Sequence, residues 1–276
     1  MSIKNPEKLV EQIFGKPSEC AFDKHQGAVC SPKHLVSKMT ALAGTSDPTK
    51  ALGTLKERMN CNSESCVIKS KEFLAFAKMS NIDHILDEFF KPEGPATHFG
   101  LLSNFNIDNV LDQLESKFPD FLHIPFQMRD FEKVGTELAR IDLAKELNGN
   151  KKCFGVVLNT DWSEGRGIHW YCIFGEKKNG KIQIEYFNSS GKEPLPETQA
   201  WIQKTKHYLS KQLGIPVEVK YSTGIQFQND EHSCGVYCLM YIWLRLEGVS
   251  SNWFKADTFN DEFMHKARKV LFRHEV

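Results

Sequence analysis

A histidine followed at once by tryptophan, His169-Trp170, precedes Asn188 in the run EYFNSSG, then Gln228, then Cys234 in HSCGVY. A thiol, an imidazole to take its proton, an amide to orient the imidazole and a second amide six residues before the thiol are the parts of a cysteine hydrolase. Together they would cut acyl bonds. Each also has a structural reading. A cysteine ahead of an apolar helix is commonly a core thiol, a strand histidine commonly makes a structural hydrogen bond, and Asn-Ser-Ser-Gly is an ordinary turn. Their joint order favours catalysis. Gln226 and Gln228 compete for the second amide, His232 is a rival base, and Glu231 and His232 can equally be surface loop.

Such groups must be held by rigid elements, and periodicity locates several. CFGVVLNT, IHWYCIF, KIQIEYF and VEVKYS are rich in β-branched and aromatic residues and predict strands. Asn179-Gly180 suits a two-residue type I′ turn between two of them. With Lys178 opposite Lys181, the register runs on to Tyr171 opposite Asn188 and His169 opposite Ser190. His169 and Asn188 then share a face as diagonal neighbours, about 7–8 Å apart along the backbone. A longer turn over Glu176 to Gly180 would shift the register by one and separate them.

Cys234 opens the most apolar segment of the chain, Gly235 to Leu246, which predicts a buried helix with a rigid start. The partial positive charge of that helix start, with a protonated His169 beside it, predicts a thiolate at Cys234. The Cys234 N–H and Gln228 would face an oxyanion, and Gly235 would let the acyl group come close.

The chain divides into two parts. Residues 1 to about 95 carry short helical patterns: SPKHLVSKMTALAG, with Ser31 as N-cap and an end at Gly44, then KEFLAFAKM and IDHILDEFF. The Pro- and Gly-rich stretch Lys91 to Gly100 marks the boundary, giving a helical arm over 1–95 and a catalytic core over 96–276. In the core a helix is expected from Asn106, burying Ile107, Val110, Leu111 and Leu114, and further helices over QAWIQKTKHYLSKQL and DEFMHKARKVLF. This order is α+β, a sheet flanked by helices.

The 276 residues are 41% hydrophobic and 25% charged, with 35 basic against 35 acidic residues, so charge does not mark a nucleic-acid or membrane-surface binder. The charged N-terminal stretch argues against a signal peptide, and no stretch reaches the length of a membrane span. Without a secretory signal, all eight cysteines are expected as free thiols, Cys172 and Cys238 in the core. Cys61 and Cys66 have no second pair at zinc spacing, so neither a metal nor another cofactor is expected.

HW on a strand, YFNSSG and Q-x5-C-G resemble the cysteine proteases that remove SUMO and related modifiers, together with adenovirus-type proteases; the likeness covers roughly the last 175 residues. CNSESCVI, GLLSNFNID, FQMRDFEKV, VLNTDWSEGRGIHW, IEYFNSSG and VLFR further resemble the polyprotein-processing proteases of African swine fever virus and related large DNA viruses. That resemblance implies a helical arm before a protease core whose sheet is mixed and mostly antiparallel. It carries over His169, Asn188 and Cys234 as the triad, Asn188 standing where the wider family commonly has Asp, and Gln228 as the oxyanion residue. Cleavage after Gly-Gly in structural polyproteins is implied, in the virion and host cytoplasm. A groove roofed by aromatics would select glycine by clash, with Trp170 as part of the roof. A deconjugating enzyme acting on host ubiquitin-like modifiers and a noncatalytic binding module of the same fold are the rival readings.

Overall fold

A computed structural model describes residues 5–15, 18–24, 29–97 and 99–273. The chain begins with six helices: α1 (Pro6–Phe14), α2 (Lys33–Ala43), α3 (Pro48–Met59), α4 (Glu64–Lys69), α5 (Lys71–Ala77) and α6 (Asp83–Phe89). Next come α7 (Asn104–Lys117), β1 (Phe121–Gln127), α8 (Phe131–Val134), α9 (Glu137–Arg140) and α10 (Leu143–Asn148). Then follow β2 (Cys153–Asn159), β3 (Trp170–Lys178), β4 (Lys181–Phe187), α11 (Pro196–Leu213), β5 (Val217–Tyr221), α12 (Cys234–Leu246) and α13 (Asp261–Leu271).

The strands form one sheet in the order β1-β2-β3-β4-β5. Its centre, β2-β3-β4, is antiparallel, and each edge strand is added parallel. Alternation along each strand sends side chains to two layers. Cys172 and Phe174 face the apolar core built with α7, α12 and α13, whereas Tyr171 and Ile173 face the layer of α10 and α11. Every residue of β2 is buried because helices cover both faces. The strand β1 was not anticipated. Its Pro125 interrupts the pattern, and the pairing with β2 has an irregularity between Ile124 and Gln127. His123 fastens β1 to α7, its Nδ1 2.7 Å from Asp112 Oδ1 and its Nε2 3.3 Å from Asp108 Oδ1.

The Asn179-Gly180 turn forms as expected. Both residues have positive φ, 52° and 74°, and Lys178 pairs with Lys181. Two helix starts differ from expectation. Pro32, extended at ψ 155°, takes the cap position assigned to Ser31, because its ring suits the φ of a cap and leaves no N–H to satisfy. The α7 cap is Ser103, and Asn106 is its capping-box partner.

Residues of α2 to α6 bury an apolar cluster of their own, including Leu35, Met39, Leu55 and Phe73, joined by Phe90 just after α6. The first helix does not join it. Leu9, Val10, Ile13 and Phe14 pack on the core that holds α12 and α13, so a division by sequence at residue 95 separates α1 from its packing partners. Its apolar stripe needs a surface, and α13 supplies one: Phe14 meets Phe263 at 4.9 Å between ring centroids.

The expectation of eight free thiols is corrected. Cys20 is bonded to Cys30 and Cys61 to Cys66, leaving Cys153, Cys172, Cys234 and Cys238 free. The fold brings each pair's Cα atoms to 4.9 and 5.6 Å, within bridging range, a proximity that sequence spacing does not encode. Cys172 and Cys238 are core thiols. Among the described residues no helix is long and apolar enough to cross a membrane.

Candidate active site

The site forms where the start of β3 meets the start of α12. Every residue from Cys234 to Arg245 is buried. Inside the core, Arg245 makes a two-pronged contact with Glu185 of β4 at 2.8 and 3.1 Å and reaches Glu176 of β3 at 3.0 Å; Tyr241 donates to the same Glu185 carboxylate at 2.8 Å. These bonds fix the rotation of α12 against the hairpin that carries His169 and Asn188. They therefore fix where Cys234 lies.

His169 Nε2 lies 2.8 Å from Asn188 Oδ1. The hairpin register has brought the two side chains together as the Asn179-Gly180 turn required. Asn188 is itself held: its amide nitrogen donates to the Tyr186 hydroxyl at 3.0 Å, and its oxygen also accepts from the Ser190 N–H and hydroxyl. With Nε2 engaged, Nδ1 is the ring atom available to a thiol. The residue after His169 also bears on Cys234, since the backbone N–H of Trp170 faces its sulfur and favours the thiolate.

The protonation expected from the helix start is not what the site favours. Burial pushes the Cys234 thiol up to about 11, against the opposing backbone bonds from Trp170 and Gly235. Burial also lowers the His169 imidazole, more than its bond to Asn188 raises it. Both shifts favour a neutral thiol and a neutral imidazole, because the desolvated site penalises charge more than the helix start rewards it.

Gln228 is buried between two partners. Its Oε1 accepts from Ser189 Oγ at 2.7 Å, and its Nε2 donates to the Asp230 carbonyl at 2.9 Å and to Asp230 Oδ1 at 3.2 Å. Gln226 is exposed and donates to the Gln228 carbonyl. His232 is part-buried and turned to Asp230, at 3.3 Å.

A cavity of about 360 Å³ opens on Cys234, lined among others by Leu102, Phe126, Met128, Asn159, Ile168 and Trp170. Trp170 donates from its indole to the Leu102 carbonyl at 3.1 Å and meets Phe126 edge-on, 6.1 Å between centroids. Gly235 is tightly enclosed. A Cβ there would lie 3.1 Å from Leu102 Cδ1 and 3.3 Å from Trp170 Cδ1.

Three contributors escaped sequence reading. Asp230 accepts from the His232 and Ser233 backbones at 3.1 and 2.9 Å and from the Ser233 hydroxyl at 2.6 Å, shaping the turn into Cys234. Asn159 accepts from the Asp161 and Ile168 backbones at 3.0 and 2.9 Å, closing the loop that leads to His169. Leu102 roofs the groove from 132 positions away in the chain, counting from Leu102 to Cys234. An Asp four residues before the thiol was the one signal that spacing offered.

A thiol at a buried helix start, a histidine and amide on an adjoining hairpin, and a groove over the sulfur define the class as cysteine protease. No protein-family model matches the chain. The cysteine protease of African swine fever virus, isolate Tick/Malawi/Lil 20-1/1983, is 35% identical over 96% of this chain and 98% of its own length. A relative named a SUMO-1 cysteine protease, from isolate Pig/Kenya/KEN-50/1950, is 34% identical over the same shares. The crystal structure of the African swine fever virus pS273R protease matches with a TM-score of 0.82 at 33% identity, covering 94% of this chain and 96% of that one. The chain belongs to the pS273R family of viral cysteine proteases.

Proposed function

We propose that this protease cleaves viral structural polyproteins after Gly-Gly, by Cys-His-Asn catalysis through a thioester. The observation that carries the mechanism is the 2.8 Å contact of His169 Nε2 with Asn188 Oδ1, one residue from the Trp170 N–H that meets the Cys234 sulfur. From the neutral pair, His169 takes the thiol proton as sulfur attacks the scissile carbonyl. The new S–C bond creates an oxyanion that the Cys234 N–H and Gln228 stabilise, Gln228 exchanging its Asp230 contact for it. The C–N bond then breaks, and the proton on His169 passes to the leaving amine. A water, deprotonated by His169, hydrolyses the thioester and restores the thiol.

Asn188 orients the ring without adding charge. Support for glycine selectivity comes from the enclosed groove, where the Trp170 and Phe126 rings and Leu102 crowd the approach to the sulfur. Trp170 is the roof residue on this reading, and the helical arm and the core act as two units divided near residue 95, apart from α1. The work is done during particle maturation, in the virion and host cytoplasm.

The test is a digest of the candidate polyprotein with wild type and with Cys234→Ala, sequencing the new termini. Cleavage after Gly-Gly is expected with wild type alone. In a peptide substrate, Gly→Ala beside the scissile bond should lower kcat/KM at least about tenfold, a clash worth about 1.4 kcal/mol; equal turnover would sink the specificity. The second reading, removal of SUMO-1 from conjugates, is favoured by the name of the Kenyan relative. Release of SUMO-1 from a fusion, with the polyprotein left intact, would decide for it.

A further inference from the structure

Beside the nucleophile, and outside the groove, Asp230, His232 and His265 converge. One candidate ligand atom from each lies within 4.8 Å of the other two. His232 Nε2 and His265 Nε2 are each 3.3 Å from the same oxygen, Asp230 Oδ2. Ligands at about 2.0–2.1 Å from a tetrahedral zinc ion are about 3.3–3.4 Å apart, so two edges of that tetrahedron already have their length. His232 Nε2 is buried and has no hydrogen bond of acceptable geometry. A buried imidazole nitrogen without a partner is costly, and an ion would satisfy it.

The ligands are held before any ion arrives. The two imidazoles are nearly parallel, 9° between planes and 5.9 Å between centroids, and Phe99 meets both edge-on at 5.4 and 4.9 Å. Arg268, on α13 with His265, donates to the His232 carbonyl at 2.7 Å and ties the two elements together. Two imidazoles and a carboxylate suit zinc, cobalt or nickel better than magnesium or calcium, which prefer all-oxygen sites. Three protein ligands leave a fourth position open.

We propose that Asp230, His232 and His265 form a site for a divalent transition ion of the zinc class, which acts on the loop joining Gln228 to Cys234. The ion takes Oδ2, which otherwise accepts from the Ser233 hydroxyl at 2.6 Å, and so draws on the residue before the nucleophile. The proposal does not depend on which bond the enzyme cuts.

Zinc chloride is titrated calorimetrically into the Cys234→Ala protein, which lacks the competing thiol, and into the same protein with His265→Gln or His232→Gln added. One equivalent should bind the first, and at least about tenfold more weakly the others, the least that losing a ligand should cost. Cobalt(II) should give the first protein a strong visible absorption of tetrahedral type that the others lack. No binding by Cys234→Ala, or undiminished affinity in either folded variant, overturns the site; if one variant fails to fold, the other decides. In the active enzyme, an ion that takes Asp230 Oδ2 from the Ser233 hydroxyl should slow turnover, and His265→Gln should raise the zinc needed for that inhibition at least about tenfold. Equal potency would assign inhibition to the thiol and overturn the coupling to the loop.

Discussion

His169 sits at a balance of two opposing effects. Burial disfavours its cation, and the Asn188 carbonyl oxygen partly offsets that by accepting its N–H. The net lowering sets the sign of the pH response: the imidazole stays neutral, and able to take a proton, to a pH below the ordinary histidine value of about 6.5. The acid limb of kcat/KM is therefore expected below that value, and a limb above pH 7 would contradict the burial argument. In the proposed mechanism Asn188 acts by orientation. Replacing it with Asp keeps the acceptor at the same place and adds charge that favours the imidazolium, so Asn188→Asp should retain much of the activity, whereas Cys234→Ala and His169→Ala abolish it. An Asn188→Asp enzyme as inactive as Cys234→Ala would remove the orienting role. Of the two glutamines, spacing from the thiol and the family resemblance favour Gln228. Gln228 is buried and bonded to Ser189 and Asp230, whereas Gln226 is exposed.

At the scale of elements, the site depends on how α12 is seated. The buried contact of Arg245 with Glu185 and its part-buried contact with Glu176 join the helix to both strands of the hairpin. Removing Glu185 leaves Arg245 with Glu176 alone and takes the acceptor from the Tyr241 hydroxyl, a loss of up to about 3–5 kcal/mol. Glu185→Ala should lower the unfolding free energy by at least about 1 kcal/mol and at most that amount in urea titrations; a smaller loss would show that the pair is dispensable for seating α12. The hairpin was legible because the Asn-Gly turn sets register locally. The edge strand β1 was not, because Pro125 breaks its alternation and its partner β2 begins 26 positions after β1 ends, from Gln127 to Cys153.

Across the whole molecule, the apolar cores cut across the order of the chain. The cluster of α2 to α6 stands apart, while α1 lies against α13 and lends Glu7 to the Trp253 indole at 2.9 Å. Four partly buried apolar side chains make up that contact, worth about 3–6 kcal/mol at half the value of full burial. Deleting residues 1–15 should lower the unfolding midpoint followed by tryptophan fluorescence. An unchanged midpoint would mean that α1 adds nothing to the core.

By itself the sequence determined the residue types proposed for catalysis, the turn that pairs His169 with Asn188, and the helix that opens on Cys234. All three follow from residue chemistry and local periodicity. The tertiary structure alone decided the rest. Burial set the protonation of the thiol and imidazole, because desolvation comes from residues distant in the chain. Loop closure brought four cysteines into bridges, and packing gave α1 to the core. The same folding assembled Leu102, Phe126 and Trp170 over the sulfur, and set His265 of α13 beside His232 and Asp230. None of these contacts has a local signature, since each joins segments that only the packed sheet and helices bring within reach.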